Sequence, residues 1–435
     1  MSRNKHVFII FIVAFQLPLF TTKIIAQNNE LISDFYQFVN KEWIDTTVLP
    51  ENYIVINQSG ILWDKIENKS MEMLTDSLTY GLDAEYLHAL QQLRNFYKST
   101  IETSENTQTR VAEVQNNFSM IFGIIFSKIT ISKQKEDMIN EIIKYLTMAY
   151  KYKLENTNII GNKYKELFLD KLDNLTIAIG APSISEFPKI PTLSDNSYSN
   201  NQKLAQSYKI EIGKIQTNWK EPYETGCFYY AGSNKIYIYA GTLFDFEYND
   251  DAAYRFATLG RTIAHEMTHA YDMVGKEYDM TGERITWLKK MFSGLMFCDD
   301  NRDKVYQSLI HQFNNYSYHD SLFVNGNKTL QENYADLGGV EVSILALKLY
   351  LKDKNTNIAE NEMDDWLRKY FLYYAKFWRE KTTYEFEITT FKRIHTPQKF
   401  RVIGPVYNQN EFYRIYNIDP ESMYFIPESK RVAAW

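Results

Sequence analysis

The run Arg261-Thr-Ile-Ala-His-Glu-Met-Thr-His-Ala-Tyr-Asp272 carries two of only seven histidines, four residues apart, with Glu266 beside the first. On a helix, residues at that spacing project from one face, about 6 Å apart at Cβ. His265 and His269 can then reach one metal ion, at about 2.0–2.1 Å each. Glu266 lies one position round the helix and points beside such an ion, where a base for an activated water belongs. The plain alternative is a helix with two surface histidines. At this histidine frequency the pattern arises by chance in roughly one such chain in a hundred, which favours a site.

Two ligands do not complete a catalytic zinc site, which takes three protein ligands and an open position. Residues 329–339, Thr-Leu-Gln-Glu-Asn-Tyr-Ala-Asp-Leu-Gly-Gly, offer the remainder. Glu332 can be the third ligand. Asp336, four residues on and so on the same face, can accept the free ring N–H of a ligand histidine, taken to be His265, and fix its tautomer. Gly338 and Gly339 would let this helix approach the first closely. Thr329-x-x-Glu332 also matches a helix capping box, a reading that the histidine pair outweighs.

The rest of the chain bounds the setting. Its 435 residues suggest roughly two or three domains. With 45% hydrophobic and 23% charged residues the composition is that of a globular protein. The net charge of −6 gives no basic surplus for nucleic acid. Two cysteines, Cys227 and Cys298, are too few for a disulfide-built scaffold. At the N-terminus Arg3 and Lys5 precede an apolar run, Val7 to Phe15, and Ala26 offers a cleavage point. That order reads as a secretory signal peptide over 1–26 and an extracytoplasmic, periplasmic or secreted protein. The run is shorter than the roughly 20 residues of a spanning helix, and an uncleaved anchor is the lesser alternative.

Apolar residues recur at helical spacing in the region after Asp34. A polar, proline-containing stretch from Ala181 to Gln202 marks the best domain boundary, dividing 27–200 from 201–435. Beyond it, residues 227–241 alternate around Gly232-Ser-Asn as a hairpin does. Helices are expected from about Asp251 to Val274, stopped by Gly275, and from about Leu330 to Leu351.

HEMTHAYD followed by ENYADLGG resembles the neprilysin family of zinc metallopeptidases, whose patterns are HExTHxFD and ENxADxGG. DFYQFVNKEW is similar to the family's opening segment, FYYAGSNKIYIYAGTL to its substrate-binding edge strand, and HTPQKFRVIGP to its late His-Ser/Thr-Pro…Phe-Arg segment. The resemblance runs from about Asp34 to Trp435 and is strongest after Gln202. It implies a mainly α fold with a small β-sheet (α+β), a thermolysin-like zincin catalytic domain behind a helical N-terminal domain that is much shortened here. Carried over residue by residue, it makes His265, His269 and Glu332 the ligands of one zinc ion per chain. Glu266 becomes the general base and Asp336 the carboxylate behind a ligand. His395 would stabilise the transition state and Arg401 would bind the substrate backbone.

The chain also departs from the family pattern. Gly226 stands where Asn is usual, and Cys227 where Ala is usual. Arg261 and Thr262 replace largely apolar residues that, in the family, help line the pocket for the side chain after the cut, so the resemblance does not carry over a preference for large hydrophobic residues there. Gln331 replaces a glycine with no evident chemical consequence. The activity implied is that of a zinc-dependent endopeptidase or oligopeptidase acting on peptides or unfolded polypeptides. An exported, non-catalytic binding protein and a zinc amidase for cell-wall peptides remain the alternatives, and the oligomeric state stays open.

Overall fold

A computed structural model of the protein describes residues 31–246, 251–318 and 322–435. The expected export segment, 1–26, lies outside the described residues. The described chain is mostly helical with three small sheets, the mixed class expected from the sequence. No helix among the described residues is long and apolar enough to cross a membrane.

The strand Lys235–Tyr239 organises the interior. Side chains alternate across a strand. Ile236 and Ile238 enter one buried cluster, while Tyr237 and Tyr239 enter another. This strand is central in a three-stranded sheet, with Thr176–Gly180 parallel on one side and Cys227–Tyr230 antiparallel on the other. The hairpin closes as the sequence suggested. Asn234 takes a left-handed backbone, φ 46°, which asparagine tolerates better than most residues. Its side-chain amide donates to the Lys171 carbonyl at 2.9 Å, which anchors the turn. The parallel partner was not anticipated.

The tyrosine side of the strand faces a cluster built by Gln58–Thr75, Ala84–Ser99, Thr107–Thr130 and Tyr198–Ile212. The third of these helices buries Val111, Val114, Phe118, Ile121 and Ile125. Those steps of three and four keep one face inward, and each such side chain contributes about 1.5–3 kcal/mol on burial.

The next helix, Lys133–Asn156, enters the other cluster. Ser132 caps it by accepting from the Lys135 amide at 3.2 Å. Its apolar face, Met138, Ile142, Tyr145 and Ala149 among others, packs against the helix Leu330–Lys354.

The opening segment reaches back across the fold. Asp34 caps the helix Phe35–Thr46, which packs on Glu360–Phe377 and Gln398–Val406. The Phe35 amide donates to the Tyr407 hydroxyl at 3.2 Å, and Asp34 pairs with Lys399 at 2.6 Å. The strand Val55–Asn57 pairs antiparallel with Glu380–Thr382. The start of the described chain therefore braces the segment that carries His395 and Arg401.

Candidate metal centre

Helical turns run from Ala252 to Thr268. Asp251 caps them by accepting from the Ala253 and Tyr254 amides. The turn Phe256–Gly260 is π-helical, a form frequently met at functional sites. Arg261–Thr268 follows as regular α-helix with His269 at its C-cap. The sequence suggested a helix reaching Val274, but it ends earlier. The Asp272 carboxylate takes the amides of Val274 and Gly275, at 2.7 and 2.8 Å, and folds the chain into a turn. A Cβ at Gly275 would meet the His269 carbonyl at 1.9 Å, so only glycine closes this turn.

The facing helix, Leu330–Lys354, meets the first at its glycines. A Cβ on Gly339 would come within 3.0 Å of the His265 amide nitrogen, and one on Gly338 within 2.8 Å of the Thr268 side chain. Thr329 makes no capping bond with its side chain. The capping-box alternative for Glu332 therefore fails, and that carboxylate is turned toward the histidines.

Three donor atoms converge there. His265 Nε2 lies 3.2 Å from His269 Nε2 and 3.3 Å from Glu332 Oε2, and His269 Nε2 lies 3.8 Å from that oxygen. A tetrahedral ion with bonds of about 2.0–2.1 Å separates its ligand atoms by roughly 3.3 Å. The spacing fits one such ion. Each histidine directs its other nitrogen at a carboxylate: His265 Nδ1–H donates to Asp336 Oδ1 and His269 Nδ1–H to Asp272 Oδ2, both at 2.8 Å. Those bonds hold the ring protons at Nδ1 and leave both Nε2 lone pairs facing inward with Glu332. Three converging lone pairs repel one another, and a cation among them removes the repulsion. Two imidazoles and one carboxylate are a zinc-type donor set.

The electrostatics agree. Burial acts to raise the pKa of Glu332, but the close approach of the His265 and His395 rings holds it well below the usual carboxylate range. Burial likewise acts to raise Asp336, and the charge of Arg401 with the His265 bond drives it far down. Burial acts to lower His269, yet the Asp272 bond and the charges of Glu266, Asp272 and Glu332 raise it to about 9. The corner favours positive charge, as a proton or as a metal cation.

The remaining expected residues are nearby. Glu266 is buried, and its Oε2 accepts from the Tyr229 amide at 2.9 Å. That amide belongs to Cys227–Tyr230, an edge strand whose other side is paired. His395 stands on the loop before Gln398–Val406, 46% exposed, with Nε2 2.9 Å from Glu332 Oε2. Together Tyr229, Glu266, His265, His269, Glu332 and His395 line a cavity of about 300 Å³. Arg401 sits behind them. Its Nε and Nη2 donate to the two Asp336 oxygens, each at 2.7 Å, and its guanidinium stacks 4.1 Å from the Trp378 ring centre.

Two participants were missed. Asp272 does for His269 what Asp336 does for His265. Its place three residues after His269 put it on the correct side of the turn, and that spacing was the available signal. Gln331, read as having no chemical consequence, has one: its Nε2 donates to Asp272 Oδ2 at 2.8 Å. At Gly226 a Cβ would meet the Tyr239 ring at 2.9 Å, so the asparagine of the family pattern would require that ring to shift. Cys227 and Cys298 are both free thiols.

Two models described as peptidase family M13 match residues 226–432 and 32–112. Neprilysin-3 of Drosophila melanogaster is 23% identical over 366 residues, covering 79% of this chain and 45% of that protein. Neutral endopeptidase of Lactococcus lactis subsp. lactis (strain IL1403) is 22% identical over 410 residues, covering 91% of this chain and 60% of that protein. The crystal structure of Mycobacterium tuberculosis zinc metalloprotease Zmp1 with an inhibitor superposes with a TM-score of 0.62 at 22% identity, over 76% of this chain and 51% of that one. The chain spans about half the length of the curated relatives it matches. With both models of one description together matching more than half of the residues, the chain belongs to peptidase family M13, the neprilysin family.

Proposed function

We propose that the protein is a zinc-dependent endopeptidase that hydrolyses peptide bonds in peptides or unfolded polypeptides, with one zinc ion held by His265, His269 and Glu332. The observation that carries this reading is the spacing of the three donor atoms, 3.2, 3.3 and 3.8 Å, with Glu266 buried beside them. When bound, zinc supplies Lewis acidity to the scissile carbonyl and to the attacking water. Glu266 takes a proton from that water and delivers it to the leaving nitrogen as the carbon–nitrogen bond breaks. The Tyr229 amide fixes where that carboxylate waits. His395 reaches the same corner and can donate to the oxygen that gains negative charge. Arg401 keeps Asp336 charged and in place, so that His265 presents its lone pair.

The edge strand supports a mode of substrate binding. Among the described residues Cys227–Tyr230 pairs with another strand on one side only, with Lys235–Tyr239. An extended peptide can lie along its open side as an added strand, which brings a peptide bond over Glu266. The polar-flanked apolar run at Val7 to Phe15 supports export to an extracytoplasmic site, with the mature chain acting there.

The test is a digest of a diverse peptide mixture by the purified full chain, read by mass spectrometry, with zinc and with a chelator, for wild type and Glu266→Gln. Zinc-dependent internal cleavage that is lost in Glu266→Gln is the expected result. An absence of cleavage of any peptide by zinc-loaded wild type would reject the reading.

A further inference from the structure

Arg261 stands one helical turn before His265, on the same face of the helix. It is 2% exposed. Its Nε and Nη2 have no hydrogen-bond partner among the described residues, and no carboxylate there pairs with it. A guanidinium stays protonated in proteins, and a buried cation without a counter-charge is costly. The guanidinium is held instead over three rings, 4.5 Å from the centre of Trp378, 5.0 Å from Phe377 and 5.6 Å from Tyr374. Such contacts recover part of the lost hydration but leave the N–H donors unused. Asp336, whose charge acts on Arg261, is not available to it. Its oxygens already accept from Arg401 and His265.

Arg261 lines a cavity of about 760 Å³, whose wall also includes His265, Glu266, Thr262, Lys376 and Arg379. The cavity therefore begins at the residues that act on the scissile bond and continues to a buried, unpaired cation. Two acids line it as well, and both are engaged: Asp245 pairs with Lys65, and Glu266 accepts from Tyr229. Among the described residues of the wall, cationic side chains, Arg261 and Arg379 included, outnumber these two acids.

We infer that Arg261 is a specificity-determining residue that receives a carboxylate side chain, Asp or Glu, from a substrate residue adjoining the scissile bond. This rests on the peptidase reading and adds to it the chemistry of the preferred substrate. A charge-assisted pair formed from the cavity side would give the guanidinium the counter-charge it lacks, and a neutral side chain of the same shape would leave the cation without one. Hydrogen bonds to a charged group of this kind correspond to about 10- to 100-fold in kcat/KM.

The test uses zinc-loaded full chain and synthetic peptides that differ only at one of the two residues flanking the cut, as Glu, Gln, Phe or Leu, each with a free and an amidated C-terminus. Wild type should cleave the Glu peptides about 10- to 100-fold better than the Gln peptides on one flank. Arg261→Met should erase that difference and improve the Phe and Leu peptides, while Arg261→Lys keeps part of it. The same peptides are titrated onto Glu266→Gln, and onto Glu266→Gln with Arg261→Met, so that binding is read without turnover. Equal handling of Glu and Gln by wild type in both assays overturns the inference, as does a preference that survives Arg261→Met. A preference that vanishes on amidation shows that the recognised carboxylate is the peptide terminus, and overturns the side-chain assignment. Cleavage of Phe and Leu peptides without charge preference leaves the peptidase reading standing while this inference falls. Failure to cleave any peptide strikes at the peptidase reading, and the binding titration still decides the role of Arg261.

Discussion

Arg401 grips Asp336 through two parallel hydrogen bonds of 2.7 Å, and the same carboxylate accepts from His265 Nδ1 at 2.8 Å. The chain Arg401–Asp336–His265 links a residue assigned from the sequence to substrate with the orientation of a metal donor. Asp336→Ala should lower zinc affinity about 10- to 100-fold. Arg401→Met should weaken zinc binding as well as kcat/KM, because it removes the cation that balances Asp336. Zinc affinity by competition with a chelator checks both. An Arg401→Met protein with wild-type zinc affinity would confine Arg401 to the substrate.

Asp272 is the counterpart on the other histidine, and it also closes the turn after the helix through the Val274 and Gly275 amides. Asp272→Ala should therefore lower zinc affinity about 10- to 100-fold and also lower the melting temperature of the zinc-free protein. Gln331→Ala removes one bond to the same oxygen and should cost only a few-fold in zinc affinity by the same reasoning. Chelator competition and thermal unfolding without metal separate the two effects. Equal losses in both variants would mean that Asp272 orients the ring only when Gln331 holds it in place.

Glu266 accepts a hydrogen bond from Tyr229 and is not one of the three converging donor residues. Glu266→Gln should keep about one zinc per chain while lowering kcat by roughly 10²–10⁴ or more. Metal content and single-turnover rates on one peptide measure the two quantities. Near-normal turnover in this variant would remove Glu266 from the role of base.

The legible part of this protein was the part whose chemistry is local. His265 and His269, Glu332 and Asp336 are each four residues apart, and a helix turns that spacing into a shared face. Gly338 and Gly339 signalled the close crossing for the same reason. Asp272 was harder to see, because it acts after the helix ends, through a turn whose geometry depends on Gly275. The parallel pairing of Thr176–Gly180 with Lys235–Tyr239 joins residues far apart in the chain, and no local pattern encodes it. Gln331 looked inert because its partner lies on another element, 59 residues away in sequence. The aromatic cage round Arg261 is of the same kind: Tyr374, Phe377 and Trp378 meet it only through the packing of helices.

The last expectation concerns acid. Asp300 accepts from Arg302 through Nε and Nη2, at 2.6 and 2.7 Å, and from Lys276 at 3.2 Å. Arg302 in turn donates to the Tyr271 carbonyl at 2.7 Å, just beyond His269. Burial acts to raise the Asp300 pKa, but the Arg302 bond and charge, with Lys276, lower it from 3.8 to about 2. A carboxylate with a depressed folded pKa adds stability that is present above its unfolded pKa and is lost as pH falls through the folded value. The contribution of Asp300 should therefore be complete above about pH 5 and fade between about pH 4 and pH 2. Asp300→Asn should be less stable than wild type at pH 6, and the gap should shrink as the pH falls toward 3. Denaturant midpoints for the zinc-free proteins across that range give the comparison. A gap that is constant with pH would mean that the loss reflects packing or hydrogen bonding, and not the charge of Asp300.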